Sequence, residues 1–135
     1  MPSNVIANSS ALVALLRRDN QHHQWIIAQV NFLPPQWLIC EAVLTETFHL
    51  VGQPGAPKIK EMLRRRAVAL AFDLDSDLAK ALALMEKYAD APMSLADACL
   101  VRMSETMPDP VVVTTDADFK IYRRHSRQVI PRLRP

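Results

Sequence analysis

Short apolar runs alternate with longer helix-patterned segments along this chain, and that alternation restricts the available folds more than any other feature. Asn4–Ala7, Trp37–Cys40, Ala67–Phe72 and Val111–Val113 are each brief and apolar, the last β-branched throughout. Strands that read as continuous apolar runs are buried on both faces, as in a parallel sheet covered by helices. The order predicts an α/β chain with three layers, α/β/α, around a central, mostly parallel sheet. A ligand site in such a sheet lies beyond the carboxyl ends of its strands.

The intervening segments carry helix signals. Ser9 and Ser10 precede Ala11–Leu16, so a strand runs directly into a helix with serine near its cap. A second helix is expected over Gln21–Val30, stopped by Pro34 and Pro35. Ala42–Val51 has helical spacing and ends at Gly52 and Pro54, and Lys58–Arg65 reads as a separate short amphipathic helix. Asp73–Asp77 caps a helix running to Tyr88, Asp90–Met93 is a turn, and Ser94 opens an apolar, central helix to about Glu105. Gln128–Ile130 is the expected last edge strand, ahead of Pro131.

With 135 residues, half of them apolar, the chain is expected to form one domain over 1–135. No apolar run approaches the roughly eighteen residues of a membrane span, and no secretory signal opens the chain, so a cytoplasmic location and no membrane partner are expected. Cys40 and Cys99 lack metal-knuckle spacing and read as buried thiols. The net charge of +2 is unevenly placed: Arg64–Arg66 form one basic run, and residues 120–135 hold Lys120, Arg123, Arg124, Arg127, Arg132 and Arg134 with no acid. Such segments suit a polyphosphate backbone, although a solvated face would look the same.

Four places set a carboxylate or its amide beside an apolar run: Asn8 after Val5–Ala7, Glu46 within Ala42–Glu46, Asp97 within Leu95–Ala98, and Asp116 after Val111–Thr115. Like charges gathered in one place repel unless a cation or protons neutralise them. Asn8 and Asp116 follow strands directly and in a parallel sheet emerge at the same edge, Asp97 opens a helix, and Glu46 must come from a helix nearby. Converging, they would form an oxygen-rich site suited to Mg2+ or Mn2+. Each also has an ordinary explanation: Ser94–Asp97 fits a capping box, Asn8 a helix cap, Asp116–Phe119 a turn, and Glu46 an exposed helical acid.

These motifs resemble those of the PIN-domain ribonucleases, and among them the VapC-like toxins of bacterial type II toxin–antitoxin systems. Val5–Leu12 is similar to the opening strand and first acidic motif, Ala42–Glu46 to the second, Leu95–Ala98 to the third and Val113–Phe119 to the fourth, so the likeness spans nearly the whole chain. The resemblance implies a PIN-like fold and a metal-dependent endoribonuclease. In it Glu46, Asp97 and Asp116 are catalytic and hold one or two Mg2+ or Mn2+ ions together with Asn8 and, further out, Asp118; a metal-activated water attacks the RNA phosphodiester in line. It also implies an antitoxin protein as partner and a homodimer, and Arg123, Arg124 and Arg127 are candidates for RNA phosphate contact.

At the first acidic position the sequence departs from the family, which has Asp where Asn8 stands. The amide removes a full charge; a unit pair at 4 Å is worth roughly 4 kcal/mol at an effective dielectric of 20, so metal affinity and turnover should both fall. The alternative is a catalytically silent PIN fold acting as an RNA- or antitoxin-binding module. Other constellations are weaker. His22 and His23 are adjacent and cannot form the i, i+4 pair of a zinc site, and Asp73–Asp77 lacks the glycine and distal glutamate of a calcium loop.

Overall fold

The computed structural model describes residues 2–91 and 93–135; Pro92, within the expected turn at Asp90–Met93, lies outside the described residues. β1 (Asn4–Ala7) leads through α1 (Ser9–Leu16) and α2 (His23–Phe32) to β2 (Trp37–Ile39), and α3 (Glu41–Arg64) leads to β3 (Val68–Leu70). α4 (Leu74–Lys87) and α5 (Leu95–Thr106) return the chain to β4 (Pro110–Val113). A short 3-10 turn (Ala117–Lys120) then precedes β5 (Arg123–Arg124), β6 (Gln128–Val129) and β7 (Arg132–Leu133).

The main sheet has the order β3-β2-β1-β4-β7 and every pairing in it is parallel. α1 packs on α3 and α4 on α5, giving the expected three-layer α/β/α arrangement. The chain builds outward from β1 to β3 on one side and resumes with β4 on the other, so strand order reverses between β1 and β4. Their register, Asn4 opposite Pro110 through Ala7 opposite Val113, ends both strands at one level.

Apolar strand residues explain why the sheet is central. Val5, Ile6, Ile39, Val112 and Val113 are buried, and Leu12, Ile26, Ile59, Leu100 and Met103 cover them from the helices. Each such side chain contributes about 1.5–3 kcal/mol relative to exposure. Arg102 ties α5 to α4, its Nη2 meeting Asp77 at 3.1 Å and its Nη1 meeting Glu105 of α5 at 2.9 Å. Cys40 and Cys99 are free and buried. None of the described helices is long and apolar enough to cross a membrane.

Two sequence readings need correction. The segment after Gly52 does not wait for Lys58 to become helical: Gly52 breaks the helix with φ 62° and ψ −164°, and helix resumes at once. Pro54 is accommodated because it falls in the first turn after the break, where backbone N–H groups have no intrahelical partner. The last edge strand is Arg132–Leu133, not Gln128–Ile130. Gln128–Val129 instead pairs antiparallel with Arg123–Arg124 in a small ribbon. Pro131 does not prevent pairing, because at that position only a carbonyl is required: it accepts the Val112 N–H at 2.9 Å, and Leu133 O accepts Thr114 N–H at 3.0 Å.

Candidate functional site

Because β1 and β4 end together, the residues that follow them meet at the carboxyl edge of the sheet. Asn8 N–H donates to Val113 O at 3.2 Å, closing the end of the β1–β4 pair. Asn8 is also the N-cap of α1: its Oδ1 accepts Ser10 N–H at 2.8 Å, Ala11 N–H at 3.4 Å and the Ser10 hydroxyl. Ser10 Oγ in turn accepts Thr115 N–H at 3.0 Å and lies 3.2 Å from Thr114 Oγ1. Thr114 Oγ1 accepts Asp116 N–H at 2.9 Å, so a chain of hydrogen bonds runs from the first acidic position to the fourth. Asn8, Ser9 and Thr114 are buried, while Asp116 is half-buried at the rim.

α5 and α3 supply the remaining groups. Ser94 caps α5 by accepting Asp97 N–H at 3.0 Å, as the capping-box reading expected. The Asp97 carboxylate does more than cap, since its Oδ2 accepts the Tyr122 hydroxyl at 3.0 Å. Burial pushes the Asp97 carboxyl above the usual carboxylate range, the Tyr122 hydrogen bond opposes that shift, and the charge of Asp116 adds to it. The Asp118 carboxyl is raised as well, by partial burial and then by Asp116. Tyr122 itself is buried, and burial with the charges of Asp97, Asp118 and Asp116 holds its hydroxyl protonated well above its ordinary range. These four groups therefore share one electrostatic neighbourhood. Glu46, exposed on α3, is tied to the start of α1 by Ser9, whose hydroxyl donates to Glu46 Oε1.

The donor set is all oxygen and like-charged. Among the described residues no three His, Cys, Asp or Glu side chains form a ready-made cation cage. A cation of the Mg2+ type does not require one, because it keeps several waters and is bound by one or two carboxylates. Asp97 and Asp116 fit that requirement, with Asp118 and Glu46 at the margins. Asn8 fits less well, since its one acceptor oxygen is already held by three donors of its own helix.

A sequence model described as the PIN domain matches residues 5–124. The chain belongs to the PIN domain family. The match covers all four acidic-motif segments, and PIN domains are generally nucleases that use divalent metal ions. No curated protein is significantly similar to the chain.

Of the residues singled out in the sequence of this PIN domain, Asn8, Asp97, Asp116 and Asp118 are gathered at the sheet's carboxyl edge and Glu46 borders them. The three arginines lie on the β5–β6 ribbon and its turn. Arg124 donates to Ser104 O in α5, about 10 Å along that helix from Asp97, and Arg123 folds onto the carbonyls of Lys120 and Tyr122 at 2.7 and 3.0 Å. Arg127 is exposed. Sequence reading missed Tyr122, Ser9, Ser10 and Thr114. The serines directly after Asn8 and the Thr114–Thr115 pair before Asp116 were the available signals; nothing local pairs Tyr122 with Asp97. His22 stands at the N-cap position of α2 without a side-chain cap bond, and His23 Nδ1 lies 2.7 Å from Ala14 O.

Proposed function

We propose that this PIN domain is a metal-dependent endoribonuclease of the VapC-like toxin type, weakened by Asn8 at its first acidic position. The observation that carries the reading is the meeting of Asp97 and Asp116 at the reversal point of the sheet, where the charge of Asp116 opposes ionisation of Asp97 and a cation would offset it. A bound Mg2+ or Mn2+ would offset the charge of an RNA phosphate and acidify a water. The chain's own residues do the positioning: Tyr122 fixes one oxygen of Asp97, Asp116 N–H is pinned by Thr114, and Ser9 steadies Glu46. A toxin role, an antitoxin partner and a homodimer follow from the VapC-like resemblance and belong to the same proposal, as do a cytoplasmic location and phosphate contact by Arg127.

A second reading, a silent PIN fold that binds RNA or antitoxin without cleaving, is favoured by one observation. Asn8 Oδ1 is committed to its helix cap, and the rest of the amide is a donor that cannot ligate a cation. An aspartate there could cap with one oxygen and offer the other. The test is a Mn2+ titration by calorimetry, with cleavage of a mixed RNA pool, on this chain and on Asn8→Asp. The variant is expected to gain at least tenfold in affinity and cleavage; no metal binding and no cleavage in either form would overturn the nuclease reading.

A further inference from the structure

α4, α5 and the turn of the β5–β6 ribbon enclose a hollow that takes no part in the acidic site. Lys80 and Lys87 line it from α4, Arg102 and Glu105 from α5, and Ser126 from the turn. Its one acid is already occupied: Glu105 Oε1 meets Arg102 Nη1 at 2.9 Å, and Oε2 accepts His125 N–H at 2.5 Å. Arg102 is likewise engaged, by Asp77 as well as Glu105. Lys80 and Lys87 are exposed, and among the described residues neither forms an ion pair. Ser126 is exposed at the ribbon's turn, where His125 and Ser126 take φ values of 50° and 68°. The hollow therefore holds two unpaired cations and a hydroxyl that no other residue uses.

We propose that Ser126 is a phosphorylation site and that Lys80 and Lys87 receive its phosphoryl group. Arg123 and Arg124 stand three and two positions before the serine and Arg127 directly after it, a charge pattern suited to a serine kinase with an acidic substrate groove. In the closed ribbon Arg123 is held by the carbonyls of Lys120 and Tyr122, and Arg124 by Ser104 O, yet Arg124 Nε is buried without a partner. An unsatisfied buried donor weakens that docking, and the ribbon consists of two residue pairs, so local opening frees the arginines and the serine for the enzyme. In the transfer Ser126 Oγ forms a bond to the γ-phosphorus of a nucleoside triphosphate, whose bond to the β–γ bridging oxygen breaks. The hydroxyl proton passes to the kinase's base and the nucleoside diphosphate leaves. When the ribbon closes again, a dianion on one wall of the hollow meets two unpaired ammonium groups on another, and the new bonds are charge-assisted. Neither metal nor RNA is involved, so failure of the nuclease reading leaves this role of Ser126 intact.

The experiment incubates the full chain with ATP and a serine kinase that selects arginine upstream of its target, and mass spectrometry locates the phosphate. Ser126 is expected to be the main site, and Ser126→Ala to remove the label. Phosphoserine installed at position 126 of the full chain is then followed by phosphorus NMR. Its second ionisation should lie at lower pH than in the same chain unfolded in urea, because two cations favour the dianion. Modification should also raise the melting temperature by about 3 °C. Lys80→Ala combined with Lys87→Ala changes exposed side chains only, so the unmodified variant should melt close to the parent, while the modified one should lose both the shifted ionisation and the gain in melting temperature. The proposal is overturned if the kinase leaves Ser126 unlabelled, if the phosphoserine ionises as it does in the unfolded chain, or if the double lysine variant keeps the shift and the gain.

Discussion

Tyr122 Oη donates to Asp97 Oδ2 at 3.0 Å, across 25 residues of sequence and from a ring that is almost wholly enclosed. Tyr88 and Phe119 hold that ring edge to face, with centroids 5.2 and 5.3 Å away, so the hydroxyl has little freedom to turn elsewhere. Hydrogen bonds to a charged group contribute about 1.5–3 kcal/mol. Tyr122→Phe keeps the packing and removes only the donor. In an Asn8→Asp background it should lower Mn2+ affinity by about tenfold, equivalent to roughly 1.4 kcal/mol, with a small fall in melting temperature. Calorimetry and melting curves on the pair of proteins check this; unchanged affinity would make the tyrosine a packing residue only.

Asp97 carries a folded-state pKa above its ordinary value of 3.8, chiefly through burial. A carboxyl raised in this way binds more protons folded than unfolded between the two values, so stability falls as pH rises through that window. The favourable contribution is complete below about 3.8 and lost above the raised value. At neutral pH, without metal, the Asp97 charge therefore opposes folding. Asp97→Asn should raise the melting temperature of the metal-free protein at pH 7, with the advantage shrinking toward pH 4, and should abolish any cleavage. A large fall in melting temperature would instead make Asp97 a structural cap.

Asn8 combines a helix cap with a place in the site, and substitution separates the two. Asn8→Ala removes the acceptor for Ser10 and Ala11 and should lower stability by about 1 kcal/mol. Asn8→Asp keeps an acceptor and adds charge opposite the positive end of α1, so its melting temperature should be equal to or above the parent's. Denaturant titration of the three proteins checks the order; equal stability of all three would mean the cap contributes nothing.

The sequence disclosed what depends on local pattern and missed what depends on pairing. β1, β4, α4 and α5 were legible because apolar runs and cap residues lie within a few positions of one another, as at Asp73 and Ser94. The convergence of Asn8 with Asp116 was legible because both directly follow strands of one parallel sheet. Tyr122 was not, since a donor 25 positions from its acceptor leaves no periodic trace. The bond from Arg124 to the Ser104 carbonyl is equally invisible in sequence, because donor and acceptor stand 20 positions apart. The edge strand is misplaced because the rule concerns the N–H that proline lacks and says nothing about its carbonyl, which here accepts from Val112.

Gly52 offers the sharpest test of what bends α3. Its φ of 62° with ψ of −164° lies in a region open almost exclusively to glycine. A Cβ at this position would meet only Pro54 Cδ at 3.8 Å, an ordinary contact, so the penalty for any other residue comes from the backbone and not from crowding. Gly52→Ala should destabilise the chain by about 1–3 kcal/mol, read from denaturant titration. Relief of that strain requires the bend in α3 to relax. A Gly52→Ala protein with full stability would show that the bend is not imposed by this glycine.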